Sequence, residues 1–149
     1  MPNSSRYLSA RQQRGLDRLG DAALPGDEEF PSFSRLGCGE HVDKLLAEMP
    51  ERDRGDVLTL LTVTGLLPGP LVRLLVALFE NSDRVPTVLG ATLRFAKMGV
   101  RGLVLTLYYS GLKGSHYAGR TPLEILGYEV SVYTADVDGA SAPVRKTAL

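Results

Sequence analysis

Apolar positions recur at helical spacing through most of this chain, and proline and glycine divide the pattern into segments. Ser9 followed by Gln12 reads as a capping box. Leu16, Leu19 and Ala23 then share a face from which Arg11, Arg14, Arg18 and Asp21 largely turn away, until Pro25-Gly26 closes the first helix. The stretch from Asp27 to Phe33 reads as a loop pinning Phe30 and Phe33 against the body, or as simple disorder. A short second helix is expected from about His41 to Glu48, with Val42, Leu45 and Leu46 as its stripe. Pro50 suits the first turn of a third helix running from about Glu51 to Leu66, charged at its start and apolar on all sides at its end. Beyond Pro68-Gly69-Pro70, the residues Leu71, Leu74, Leu75 and Leu78 continue as a fourth helix, followed by a turn at Asn81-Ser82-Asp83.

The longest helix is expected from about Pro86 to Ser110, with Val88, Leu89, Phe95, Val100, Leu103 and Leu107 as its apolar surface. Ala96, Gly99 and Gly102 recur every third residue along it, which suggests a close approach by another helix in return for the roughly 1 kcal/mol that each helical glycine costs. Past Gly111 the pattern breaks into a glycine-rich loop and one helical turn near Pro122 to Leu126. Val130 to Thr134 then alternates like a strand or extended arm. The fold class is therefore mainly α: a single compact helical domain of about five helices over residues 1–128, with an extended C-terminal arm over 129–149.

Charge changes this picture in one region. The 149 residues carry 17 basic and 17 acidic side chains, so no net field draws the chain to nucleic acid. Residues 1–56 hold 19 of those 34 charges, whereas Val57 to Phe79 holds Arg73 alone. A membrane span needs ~20 uninterrupted apolar residues, and the Pro-Gly-Pro break splits this run into a helical pair, read as buried. The alternative is a peripheral membrane or apolar-ligand-binding helical protein, with the same run docked on a bilayer or an apolar ligand. The N-terminal residues show neither the apolar core of a secretory signal nor paired arginines, so the expected location is cytoplasmic or with a partner that supplies the address.

Candidate chemistry is sparse. Cys38 is the single cysteine and His41 and His116 the two histidines, too few soft ligands for zinc or an iron–sulfur cluster. Glycine-rich nucleotide loops, paired-histidine metal motifs and redox cysteine pairs do not occur. Cys38 and His41 read either as a perturbed thiol or as an inert partly buried cysteine, and His116 beside Ser115 reads either as a base or as a solvated loop histidine. Glu51, Asp53 and Asp56 alternate with Arg52 and Arg54, as on a solvated helix mouth. Arg94, Lys97 and Arg101 form a basic stripe that faces either solvent or an acidic surface or phosphate.

The order of segments resembles a known family. From Leu8 to Asp27 the chain reads LSARQQRGLDRLGDAALPGD, similar to the opening of the gluconate 2-dehydrogenase subunit 3-like family, and the helix at Val42 to Leu46 follows as it does there. Tyr108-Tyr109-Ser110 and, after a loop, Leu126-Gly127-Tyr128 are similar to that family's aromatic pair and closing Gly-Tyr. The resemblance spans about residues 8–128. It implies a non-catalytic small subunit that supports the folding, export or electron transfer of a large FAD-dependent alcohol or sugar dehydrogenase. FAD and the catalytic residues would lie in that partner, with no cofactor in this chain. Tyr108, Tyr109, Ser110, Gly127 and Tyr128 carry over as structural or interface positions, and Leu66, Leu67, Leu71 and Leu74 join them from the uncharged run. The chain departs from the family's pattern in lacking a twin-arginine leader and in its longer glycine-rich connection between Ser110 and Gly127.

Overall fold

The first helix starts where its sequence says it should. The Ser9 hydroxyl accepts from the Gln12 amide at 3.3 Å and the Gln12 side-chain oxygen accepts from the Ser9 amide at 2.9 Å, which satisfies two of the donors a helix start leaves free. In the computed structural model, which describes residues 5–81 and 88–128 and only the backbone of 88–96, this helix is α1, Ala10–Ala23. It is followed by α2 Phe33–Leu36, a 3-10 turn Cys38–His41, α3 Val42–Glu48, α4 Glu51–Leu66, α5 Gly69–Glu80, α6 Val88–Tyr108 and α7 Pro122–Ile125. The described residues contain no strand. Five of the helices have seven residues or more, and the expected fold class holds. The expected arm at 129–149, the alternating segment at Val130 and the turn residues Ser82 and Asp83 lie outside the described residues.

α1 is the hub. It packs chiefly against α4, then α5, α2 and α6, and its Leu16 and Leu19 are fully buried with Phe33, Leu36, Val42, Leu46, Leu61 and Val72. Its crossing with α4 is very close. A Cβ built on Gly15 would lie 2.0 Å from the Leu61 carbonyl oxygen, and one on Gly65 would lie 2.4 Å from that of Arg11. Polar side chains of α1 then stitch the two backbones. Gln12 donates to the Leu58 carbonyl at 3.2 Å and to the Thr62 hydroxyl at 3.1 Å. Arg18 donates to the carbonyls of Gly65 and Leu67 at 3.2 and 2.6 Å. α4 ends without a capping glycine, so the Arg18 guanidinium serves there, placing a cation on the negative end of the helix. Arg18→Met keeps the stem and removes those donors; urea denaturation should show it about 2 kcal/mol less stable.

One expectation needs correction and another is not met within the described residues. The run Val57 to Phe79 is not a buried pair: α4 and α5 share little surface and each lies on α1 instead, because the break at Pro68 redirects the chain at the α4–α5 junction. Half of α5 faces inward through Val72, Val76 and Phe79, while Leu71, Leu74 and Leu78 stay exposed. At Gly99 and Gly102 no described atom of this chain lies within 4 Å of a Cβ, so no described helix of this chain makes the approach expected there. The close helix crossing among the described residues is the one at Gly15 and Gly65.

Two segments had no counterpart in the expectations. Ser32 caps the single turn of α2, and Gly37 ends it with φ at +73°, a left-handed conformation that glycine adopts without strain. The 3-10 turn follows at once and leads into α3. The N-terminal segment is held by Asp43 of α3, which accepts from the Arg6 amide at 2.7 Å and from the Ser5 hydroxyl. No helix among the described residues is long and apolar enough to cross a membrane.

Candidate interaction surface

Apolar side chains left in water are the feature that asks for a functional account, since each exposed leucine forgoes the roughly 1.5–3 kcal/mol that full burial would bring. On α5, Leu71, Leu74 and Leu78 follow i, i+3, i+7 and so share one face. Leu74 is 64% exposed, and Leu66, at the end of α4, is 63% exposed. Leu67, expected beside them, is half-buried and packs against the core, its amide donating to the Val63 carbonyl. Leu66, Leu71 and Leu74 are therefore available for contact.

The second expected group divides by depth. Tyr108 is 2% exposed, and its hydroxyl donates to the Pro31 carbonyl at 2.6 Å, tying α6 to the loop before α2. Burial pushes its pKa up to about 12, with the neighbouring Tyr109 adding to the shift. Tyr108 is thus a structural pin. Tyr109 stands edge-on to it at 5.1 Å and is exposed. The Ser110 hydroxyl donates to the Leu107 carbonyl at 2.7 Å and helps close α6. Gly127, with φ at +73°, ends the turn of α7, and Tyr128 beyond it is 69% exposed.

Besides Val63 of α4 and Leu78 of α5, three exposed apolar residues stand outside the expected set. Met98, 71% exposed, and Leu105 are seven residues apart on α6, on the side away from buried Val100, Leu103 and Leu107, and Leu126 follows α7. Their spacing was the available signal. The capping box of α7 was also readable as Thr121-x-x-Glu124. The Thr121 hydroxyl accepts from the Glu124 amide, and the Glu124 carboxylate accepts from the Thr121 amide at 2.6 Å, which lowers the Glu124 pKa.

The basic stripe is turned partly inward. Arg101 lies 3.0 Å from the Glu80 carboxylate, and Lys97 donates to the Glu80 carbonyl at 3.2 Å, fastening α6 to the end of α5. The side chain of Arg94 lies outside the described residues. These cations edge an open groove of about 440 Å³ floored by Val76, Phe79, Val100 and Val104.

Titratable groups inside the fold are few. Cys38 is fully buried and desolvation pushes its thiol up to about 12, so it is an inert core side chain and not a perturbed nucleophile. His41 faces the Lys113 carbonyl at 2.9 Å and not the thiol's chemistry. His116 is an exposed loop side chain whose Nδ1 donates to Glu40 at 3.2 Å. Among the described residues, no group of three or more His, Cys, Asp or Glu is placed to hold a metal ion.

Asp17 of α1 is more consequential. Burial, reinforced by Asp21, raises its carboxyl to about 6. A carboxyl raised in the folded state holds its proton there between about pH 4 and 6 while the unfolded chain has released it, so stability falls as pH rises through that window and stays lowered above it. Asp17→Asn should remove this dependence. Allowing for partial exposure, we expect about 1–2 kcal/mol of added stability at pH 7 and none at pH 4, read from urea denaturation at both.

Compared with known protein families, with curated proteins and with solved structures, the chain matches none of them.

Proposed function

We propose that this chain is a non-catalytic small subunit that binds and stabilises a large FAD-dependent alcohol or sugar dehydrogenase. The observation that carries the reading is the exposed leucine face of α5, Leu71, Leu74 and Leu78, with Leu66 nearby on the chain. Three leucines on one outer face forgo the burial that their side chains would gain, and the apolar centre of a protein–protein interface is where such residues are covered. The kind of partner rests on the resemblance of residues 8–128 to the gluconate 2-dehydrogenase subunit 3-like family. In this reading Tyr109 and Tyr128 extend the contact, Tyr108, Ser110 and Gly127 shape the ends of α6 and α7 that present it, and FAD and the reacting groups belong to the partner.

The test is a pull-down from the source cell with the tagged full chain, the eluate scanned for flavin absorbance and its large component identified. The proposal predicts a flavoprotein dehydrogenase near stoichiometric amount. Leu71→Glu/Leu74→Glu, two exposed positions that leave the core intact, should reduce its recovery at least tenfold, since a charge at the centre of an apolar interface loses its water. Failure to recover any flavoprotein overturns the reading. Recovery on liposomes in its place would move these leucines to the peripheral membrane alternative.

A further inference from the structure

α6 carries apolar residues on two opposite sides. Val100, Leu103, Val104 and Leu107 turn inward and are buried. On the other side Met98, Leu105 and Tyr109 are exposed, Gly102 stands among them, and a Cβ on Gly102 meets no described atom. Steps of four, three and four separate these residues, and the same alternation continues back along the helix through Phe95, Ala91 and Val88. The row therefore holds only apolar residues and one glycine at successive a and d positions over about three heptads, the repeat with which one helix runs beside another. A helix that lies only on its own body needs a single apolar side. The Tyr109 amide donates to the Leu105 carbonyl at 2.9 Å, so the helical register holds to the end of the row.

We propose that this row is the seam of a parallel dimer, in which α6 of one copy packs along α6 of a second copy about a two-fold axis. The flanking positions select both the partner and its direction. One edge of the row holds Arg94 and Arg101, at heptad position g, and the other holds Gly99 and Thr106, at position e. In a parallel pair each g position meets the e position five residues further along the other helix, so position 94 meets 99 and position 101 meets 106, and no like charges face each other. An antiparallel pair would set one arginine edge against the other, which is repulsive. Arg101 is also balanced within its own chain by Glu80 at 3.0 Å, and the chain as a whole carries no net charge, so two copies approach without repulsion. Gly102 at the centre lets the backbones close, while Met98 and Leu105 fill the layers on either side of it; a two-fold contact of this kind meets its own pattern. The leucine face of α5 stays open in the dimer, because Leu71 and Leu78 lie roughly half a turn around α5 from Glu80, the residue that reaches α6. The inference does not rest on the partner reading, with which it shares only Tyr109.

Light scattering of the full chain should show a dimer at micromolar concentration. Leu105→Glu, at an exposed position, should raise the dissociation constant at least tenfold, since a charge in an apolar seam loses its water. Met98→Cys and Leu105→Cys, made separately, read the direction. Both are d positions, so in a parallel pair each lies beside its own counterpart, within the ~4.4–6.8 Å between Cα atoms that a disulfide spans, and mild oxidation should link copies at either site. Cys38 is buried with its thiol pushed up to about 12, which leaves the introduced thiol as the reactive one. Gly55→Cys on α4 is the control and should stay unlinked. A chain that is monomeric at about 100 μM overturns the dimer, as does linking at position 55 as fast as at 98 and 105. A dimer that Leu105→Glu leaves as tight as wild type, or that links at neither 98 nor 105, uses another surface and overturns the seam. Linking only in a mixture of the 98 and 105 variants overturns the parallel direction. A monomer whose Leu105→Glu variant loses recovery of the flavoprotein gives the row to that partner and overturns the proposal as well.

Discussion

Gly15→Ala is expected to cost at least about 3 kcal/mol, enough to take much of the stability of a small domain. The methyl group would stand 2.0 Å from the Leu61 carbonyl oxygen, 2.8 Å from the Thr64 hydroxyl and 2.9 Å from the Gly65 nitrogen. Two of these are backbone atoms, so no rotamer relieves the clash and α4 has to move outward. Moving it lengthens the contacts of Gln12 with Leu58 and of Arg18 with Gly65 and opens the layer between Leu16 and Leu61. Gly55→Ala on the same helix is the control: nothing lies within 4 Å of its Cβ, and alanine should add up to about 1 kcal/mol there. Urea denaturation of both variants reads the contrast. If Gly15→Ala stays within 1 kcal/mol of wild type, the close crossing of α1 and α4 is wrong.

Phe33→Ala should be nearly as damaging, at about 3–5 kcal/mol by thermal or urea unfolding. The ring is fully buried and occupies the space left by Gly20 on α1, where a Cβ would lie 2.2 Å from it. α2 is a single turn and holds no conformation by itself; the ring is what keeps it on α1. Pro31 sits two residues away and accepts from Tyr108, so loosening α2 also frees the end of α6. Limited proteolysis between residues 24 and 37 should therefore accelerate along with the loss of stability. Unchanged cleavage at full stability would contradict the seat described for this ring.

What could be read from the sequence was local. The Ser9 and Gln12 capping box, the break at Pro68 and the turn at Pro122 each depend on residues within a few positions of one another, and each appears where expected. α2 and the 38–41 turn were missed because four residues are too few to show a period. The glycines teach the same lesson at longer range. Gly99 and Gly102 recur along α6 and meet no described neighbour, while Gly15 and Gly65, 50 positions apart, make the tight crossing. A sequence records the absence of a side chain but not which neighbour uses the room. The candidate surface was legible to a similar depth. Lack of charge marked α5, yet its leucines occur on all sides, and only packing on α1 decides that Val72 and Phe79 turn inward while Leu71 and Leu74 turn out. Tyr108 and Tyr109 are adjacent and alike, but one is sealed under Pro31 and the other is wet. The contact of His116 with Glu40 joins residues 76 apart and left no local trace.

The position of the hub within the chain has a consequence for biosynthesis. α1 leaves the ribosome first among the helices, yet it is covered by α4, α5 and α6, the last centred some 80 residues later. At roughly 5–20 residues per second, Leu16 and Leu19 wait about 4–16 s for their full complement of neighbours. Until α4 and α5 have emerged, the nascent chain displays the stripe of Leu16 and Leu19 without its chief neighbours, which makes α1 a segment that a ribosome-associated chaperone would hold during translation.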